Sequence, residues 1–402
     1  MKFAHLADCH LGGWREEKLR ELGLDTFREA IEICIKENTA FVLISGDLFN
    51  SALPNIELLK DTAEILNKLK ENDINVYIVP GSHDFSVSGK TMLDVLEKAG
   101  LLENVSKFNE KDGKLLFTID KTNTKITGLA GLRGGLDKNY YEILDKKSLE
   151  DEKGFKIFLF HHGLNEFKPR ELEMVEMQSS KNLPNNFDYY AGGHIHYIVD
   201  SEFNKGRLVF PGALFPNNFK ELEEFKHGGF YIINKNEKPG IELKRIEINL
   251  KDVKSFSFNA DDKSPEEVQN LLMEINEDVY DKIVSLRVEG VLRNGKPSDI
   301  DFKKIIGILE ERGAYIVLRN TNKLESKEFQ EMDIKSGSVK EVEEEIIKKY
   351  LSGDEIFKNE KEEMKIVENL MEALNKSKEE GERNFDFENR IFKDFEEVFK
   401  IK

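Results

Sequence analysis

Residues 42–47 read Val42-Leu43-Ile44-Ser45-Gly46-Asp47, an apolar run that ends on a glycine and a carboxylate. So short a run, closed by glycine, reads as a strand buried on both faces. Downstream, Val76-Tyr77-Ile78-Val79 repeats the character and runs into Pro80-Gly81-Ser82-His83-Asp84. Between the two, residues 56–70 place Leu58, Leu59, Ala63, Leu66 and Leu69 at helical spacing. Upstream, residues 26–37 do the same with Phe27, Ala30, Ile31, Cys34 and Ile35. Strand, helix and strand in that order imply parallel strands with helices packed on a face. Further strands are expected at 115–119, 126–129, 155–160, 189–191, 207–210 and 229–233. From about Phe203 the helices are expected to give way to hairpin-like segments that end near Ile248. The fold class is therefore α/β, a layered domain on two central sheets flanked by helices, over residues 1–250.

The strand ends carry the chemistry. Asp8-Cys9-His10, Gly46-Asp47, Gly81-Ser82-His83-Asp84, His161-His162-Gly163 and Gly192-Gly193-His194-Ile195-His196 follow one another, and they hold six of the chain's 8 histidines. Oxygen and imidazole ligands delivered from several strand ends are what a two-metal hydrolytic centre requires. Alternation along an extended chain places Asp8 and His10 on one side and Cys9 on the other, and relates His194 to His196 in the same way. Cys9 reads as a packed thiol. Asp47 is placed to bridge two ions, and the neighbouring glycines let the backbone turn tightly. His5 and His227 lie outside the pattern and read as structural. His162 faces away from His161, so packing is its simpler role and a substrate or supporting role its alternative.

Composition narrows the setting. The chain has 402 residues, 39% of them hydrophobic, and no long apolar run, so no membrane span is expected. The N-terminus enters a strand at once and has no signal-peptide h-region. Only Cys9 and Cys34 are present, which fits a reducing, cytoplasmic setting. A net charge of −17 argues against non-specific nucleic-acid binding by the bulk surface but leaves room for a local basic site. Candidate patches are Arg15/Lys18/Arg20, Lys168/Arg170, Lys205/Arg207 and Arg293/Lys296. Abundant Lys and Glu beside only Gln178, Gln269 and Gln330 hint at a heat-adapted source.

Residues 251–325 form a smaller α+β module. A strand at 253–258 leads through Ser264-Pro265-Glu266-Glu267, a helix-start signal, into 268–275. A strand at 283–288, a helix at 302–311 and a strand at 314–318 complete it. Lacking His and Cys, it is expected to shape or contact substrate rather than bind metal. The tail, 326–402, is helical and charged. Its apolar stripes are Val342/Ile346/Ile347/Tyr350/Leu351, Met364/Val367/Leu370/Met371/Leu374 and Phe385/Phe387/Ile391/Phe392/Phe395/Val398/Phe399. The tail either folds back on the body or docks a partner.

The series D-x-H, G-D, G-x-H-D, H-x-G and G-x-H resembles the calcineurin-like metallophosphoesterase superfamily. Asp8-Cys9-His10-Leu11-Gly12 and Gly46-Asp47-Leu48-Phe49 look like its double-strand-break repair nuclease branch, the SbcD/Mre-eleven type. The resemblance spans catalytic domain, small capping domain and C-terminal helical arm. It implies one metal held by Asp8, His10, Asp47 and His196, and another by Asp47, Ser82, His161 and His194. It also implies two Mn²⁺ ions, with Mg²⁺ or another divalent metal as substitutes, and His83 beside the scissile phosphate. Implied partners are DNA ends, a second copy of the chain in a homodimer, and an SMC-like coiled-coil ATPase of the SbcC/Rad-fifty type, at the nucleoid. No G-x-x-x-x-G-K-[ST] loop is present, so ATP dependence must come from that partner. The departure is Ser82, where the superfamily has asparagine; a shorter hydroxyl weakens the second metal's ligand set. Two other readings are a small-molecule phosphodiesterase on the same fold and a DNA-end scaffold with weakened catalysis.

Overall fold

The computed structural model describes residues 1–86, 91–236, 240–327, 360–376, 387 and 390–395. The chain divides into two compact units, Met1–Ser326 and Lys327–Lys402.

The first unit is built on two six-stranded sheets. One contains β1 (Lys2–Leu6), β2 (Phe41–Ser45), β3 (Asn75–Val79) and β4 (Glu103–Asn104), all parallel, extended beyond β1 by antiparallel β13 (Gly228–Lys235) and β14 (Ile241–Ile248). A small hairpin, β5 (Phe108–Asn109) and β6 (Lys114–Leu115), follows. The other sheet runs β11 (Val199–Phe203), β12 (Gly206–Phe210), β10 (Tyr189–Gly193), β9 (Lys156–His161), β8 (Lys125–Leu129) and β7 (Thr118–Ile119). Its four inner strands are parallel and both edges antiparallel.

Period-two alternation decides which layer each side chain joins. Phe3, Leu43, Tyr77 and Val79 meet Ile126, Ile157, Leu159, Tyr189 and Val209 between the sheets. Ala4, Leu6, Val42, Ile44 and Ile78 point the other way, onto helices Glu17–Lys36 and Ile56–Glu71. Phe158, Phe160, Tyr190, Leu208 and Phe210 form the outer core of the second sheet with Tyr141, Leu144 and Leu149. His5 joins the layers: one ring nitrogen lies 2.9 Å from Tyr189 Oη and the other 2.9 Å from Ser45 Oγ. Burial lowers its pKa to about 3, so it is neutral and structural.

Three expectations need correction. The first helix begins at Glu17, nine residues before the apolar stripe at Thr26 makes it legible, because Leu19 and Leu22 pack into a different cluster. The strand expected at 115–119 is two short ones, Lys114–Leu115 and Thr118–Ile119, which pair with different partners. Helices do not cease at Phe203: helix Phe219–Phe225, capped by Asn218, interrupts the hairpins.

Residues 253–326 form a third sheet, β15 (Val253–Asn259), β16 (Ile283–Leu292) and β17 (Ile316–Asn320), with β18 (Leu324–Ser326) also on β16. Helix Pro265–Met273 starts with the Ser264/Glu267 capping box, and Phe302–Glu311 packs beside it over the same apolar core. Leu19, Leu22, Phe215 and Leu222 bury against Val253, Ile283 and Leu318, tying this sheet to the larger body.

In the second unit, helix Glu360–Leu374 carries Met364, Val367 and Leu370 half-buried, and Lys376 pairs with Asp394 at 3.0 Å. The first tail stripe, and Phe385, Val398 and Phe399 of the third, lie outside the described residues. Among the described residues, no helix is long and apolar enough to cross a membrane.

Candidate metal centre

The clusters meet at the carboxyl ends of β1, β2, β3, β9 and β10, where loops from both sheets converge. Asp8, His10 and His196 present ligand atoms within 4.8 Å of one another, as do His10, Asp47 and His83, and Asp8, Asp47 and His161. Asp8 and Asp47 each join two of these groups. His194 lies at the mouth, its ring centroid 5.3 Å from that of His161. Ser82 lines the adjoining cavity beside His83, His161 and His194, and its carbonyl accepts a hydrogen bond from Arg133 Nε at 2.9 Å.

The physical route to convergence differs from strand alternation. β1 ends at Leu6 and β10 at Gly193, so Asp8, His10, His194 and His196 all lie beyond the strands. Asp8, His10, Asp47 and His194 instead adopt left-handed backbone, with φ of 50°, 42°, 52° and 84°. Non-glycine residues seldom do so, and such strain collects at functional sites. It is held by a ladder between the β1 and β2 exits: Asp8 N–H donates to Gly46 O at 3.2 Å, His10 N–H to Asp47 O at 3.0 Å and Leu11 N–H to Leu48 O at 3.0 Å. Gly46 has φ 83°, and a Cβ there would strike the His161 imidazole.

Hydrogen bonds settle which atoms remain open. His161 Nδ1 donates to Ser45 O at 2.7 Å, which turns its Nε2 toward Asp47 Oδ2, 3.1 Å away. His196 Nδ1 faces Glu221 Oε1 at 2.8 Å, leaving Nε2 3.1 Å from His10 Nε2 and 3.8 Å from Asp8 Oδ1. His161 Nε2 and His10 Nδ1 are buried without a hydrogen-bond partner. Acceptors crowded against acceptors are unfavourable until a cation or proton sits among them, so the donor set fits divalent metal ions with mixed carboxylate and imidazole ligation.

The carboxylates are anchored from behind. Both Asp8 oxygens accept from His194 N–H at 3.0 Å, and Asp47 Oδ1 accepts from His83 N–H at 2.8 Å. Burial raises the Asp8 carboxyl to about 6, with the charges of His196 and His161 opposing. Burial pushes Asp47 up as well, but the neighbouring His161 outweighs it and holds this carboxyl below the usual range. Burial, reinforced by repulsion from His196, lowers His10 to about 3.

Three supporting residues escaped the sequence reading. Glu221 comes from helix Phe219–Phe225, in a stretch whose sequence suggests hairpins. Asn50 accepts His83 Nδ1–H on its carbonyl at 2.9 Å, and a backbone acceptor leaves no sequence signal. Asp84, visible in its cluster but given no role, accepts from Gly81 N–H at 2.8 Å and Phe49 N–H at 3.2 Å, pinning the β2 and β3 exits together. Burial, then the charge of Asp47, raises its carboxyl to about 7. Cys9 is buried in the helix-side core, a packed thiol. Of the basic patches, Lys18 is spent on Tyr315 O at 2.7 Å, Lys168 on Glu173 O and Val175 O at 2.7 and 2.8 Å, and Arg293 on Glu267 at 3.0 Å.

Comparison with known proteins agrees with this geometry. Residues 1–197 match the calcineurin-like phosphoesterase family. The DNA double-strand break repair protein Mre11 of Methanococcus maripaludis is 33% identical over 301 residues, covering 68% of this chain and 75% of that one. Its namesake in Methanocaldococcus jannaschii is 32% identical, covering 64% and 71%. The Archaeoglobus fulgidus Mre11 is 25% identical and covers 100% of this chain and 91% of its own. With the clustered carboxylates and imidazoles and these relatives together, the chain belongs to the Mre11 family of calcineurin-like metallophosphoesterases.

Proposed function

We propose that the chain is a manganese-dependent nuclease that hydrolyses phosphodiesters at DNA double-strand-break ends. The observation that carries this reading is the convergence of Asp8, His10, Asp47, His161 and His196, with carboxylate oxygens and imidazole nitrogens gathered at ligand spacing. One ion is assigned to Asp8, His10, Asp47 and His196, the other to Asp47, Ser82, His161 and His194, with Mg²⁺ as a substitute. When bound, the ions supply positive charge to the phosphoryl oxygens and a hydroxide-like nucleophile near neutral pH.

The chain's own residues orient and protonate. Ser45 O and Glu221 fix the tautomers of His161 and His196, so that each presents Nε2. His83 is held through its N–H by Asp47 and through Nδ1 by Asn50 O, which leaves Nε2 as its open atom. In its protonated form His83 donates to the departing 3′ oxygen and offsets charge on the transition state. Asp84 keeps the loop bearing Ser82 and His83 against the β2 exit.

The wider assembly extends the same reading: a homodimer working at the nucleoid in the cytoplasm, with residues 251–325 contacting DNA. Residues 326–402 dock an SMC-like coiled-coil ATPase. Deleting from Ser338 onward is expected to abolish co-purification with such an ATPase while bis-(p-nitrophenyl) phosphate hydrolysis continues; loss of both counts against the arm. The deciding experiment is digestion of an end-labelled linear duplex with Mn²⁺, alongside His83→Ala. Degradation that needs both metal and His83 supports the nuclease. No degradation by protein that still binds Mn²⁺ and DNA ends refutes it for the chain alone, and a gain on Ser82→Asn then locates the defect in the second ligand set.

A further inference from the structure

A cavity of about 840 Å³ opens beside the metal centre, bordered on the metal side by Ser82, His83, His161 and His194. Two cations, Arg133 and Lys138, stand on the same cavity, and both are exposed. Arg133 also borders a second cavity of about 540 Å³, so it is approached from two sides. The turn that carries it leaves the approach clear. Gly134 and Gly135 follow with left-handed φ of 68° and 71°, and a Cβ at either would meet no atom within 4 Å.

A cation without a carboxylate stands out in a chain of net charge −17. Arg207 is paired with Asp200, Arg245 with Glu247, Arg287 with Glu223 and Arg293 with Glu267. Arg133 instead donates from Nε to a carbonyl, Ser82 O, at 2.9 Å. Among the described residues no carboxylate pairs with Arg133 or Lys138, although Asp137 and Glu176 border the same cavity. Asp137 is buried and accepts from Gln178 Nε2 at 2.6 Å. The bond to Ser82 fastens Arg133 to the loop that frames the metal centre, because the next residue, His83, donates its N–H to Asp47 Oδ1 at 2.8 Å. Among the described residues the terminal amino groups of Arg133 have no partner. A planar guanidinium held at Nε presents those groups as a fork, the shape that takes two oxygens of one phosphate.

From this geometry we infer that Arg133 and Lys138 form a phosphate subsite that holds the backbone phosphates next to the scissile one, so that the cavity receives a nucleic-acid strand rather than an isolated phosphate ester. The inference rests on the phosphodiesterase reading for its choice of ligand. Contacts to phosphates set the register and orientation of a strand and carry no base preference. The two cations supply the local positive surface that the bulk of so acidic a chain does not. A single ester with uncharged substituents has nothing to place there. Arg133 is a positioning residue: it holds the strand, and through Ser82 O it ties strand binding to the loop that bears His83.

The test titrates the full chain, loaded with Mn²⁺, into a fluorescently labelled oligothymidine whose phosphorothioate linkages resist cleavage, and reads anisotropy at several salt concentrations. Each phosphate contact on a single strand contributes about 0.7 to the slope of log affinity against log salt. Arg133→Ala and Lys138→Ala are each expected to lower that slope by about 0.7, and Arg133→Ala to cost about tenfold in affinity, the worth of one charged hydrogen bond. Arg133→Lys keeps the charge and loses the fork, so its slope is expected to stay and its affinity to fall by a smaller factor. A slope unchanged in both alanine variants overturns the subsite. So does a slope that Arg133→Lys lowers as much as Arg133→Ala, which marks the side chain as a brace for Ser82 alone. Hydrolysis of bis-(p-nitrophenyl) phosphate by the wild type is scored in parallel; its absence sinks the phosphodiesterase reading, while the slopes still decide the subsite.

Discussion

Replacing Glu221 is expected to weaken one metal site selectively. Glu221 Oε1 takes His196 Nδ1 at 2.8 Å and Asn218 Nδ2 at 2.5 Å, and Oε2 takes Asn217 N–H at 2.9 Å. Burial raises this carboxyl, but the hydrogen bond and charge of His196 more than offset it and leave it below the usual range. A charge-assisted hydrogen bond of this kind contributes about 1.5–3 kcal/mol. If all of it is lost to metal binding, affinity falls about 10- to 150-fold at 1.4 kcal/mol per decade. Removing the partner that orients a ligating histidine typically costs 10- to 100-fold, which falls within the same range. Glu221→Ala is therefore expected to lie near the hundredfold end. Glu221→Gln is expected to be milder, about tenfold, because an amide still accepts from His196 but turns its NH₂ against Asn217 N–H. The assay is calorimetric titration of EDTA-stripped protein with Mn²⁺, with circular dichroism as a check on folding. Two Mn²⁺ affinities unchanged in a folded Glu221→Ala protein would falsify the placement of His196 as a ligand held by Glu221.

Other expectations concern the framework. Gly46→Ala forces a Cβ onto left-handed backbone and against the His161 imidazole; about 1–2 kcal/mol of strain and a weaker Mn²⁺ affinity should appear together, and wild-type affinity in this variant contradicts the packing. Asp120, buried, accepts from Thr122 N–H at 2.8 Å, Tyr77 Oη–H at 2.8 Å and Asn75 Nδ2 at 3.3 Å. Burial opposes its ionisation, yet these bonds depress its pKa. A depressed carboxylate stabilises the fold above its unfolded pKa of about 3.9, and that contribution is lost as pH falls through the folded value. Urea denaturation of Asp120→Asn should therefore show a stability about 1–2 kcal/mol below wild type at pH 7, with the gap closing as pH falls below the unfolded value; a gap that widens in acid reverses the sign of the reasoning. Arg287 makes a two-pronged pair with Glu223, at 3.0 Å and 2.5 Å, and lies over the Phe219 ring at 5.2 Å. Arg287→Ala should cost about 1–3 kcal/mol and loosen the third sheet from helix Phe219–Phe225, read as faster amide exchange at Leu222; unaltered exchange there argues that the apolar cluster alone holds the joint.

The legible part of this protein was local. A β-branched run ending in Gly46-Asp47 announces a buried parallel strand and a carboxylate at its end, because both signals lie within six consecutive residues. The same holds for each of the other clusters, and their order along the chain suffices to suggest the family. Helix Phe302–Glu311 and the Ser264/Glu267 capping box were equally readable, since helical period and cap chemistry are short-range.

What the sequence by itself determined, then, is which groups supply the chemistry and which elements deliver them. Tertiary structure alone decided how they meet. Asp8, His10, Asp47 and His194 converge through left-handed backbone braced by a ladder between two loops, and no periodicity encodes a φ of 50° at an aspartate. The tautomers of His161 and His196 depend on Ser45 O and Glu221, 116 and 25 residues away in sequence. Gln178 Nε2 finds its acceptor only because Asp137, 41 residues earlier, is brought beside it. Hydrogen-bond partners and strained dihedrals are properties of surroundings assembled from distant segments, so they come into being only when the two sheets have packed.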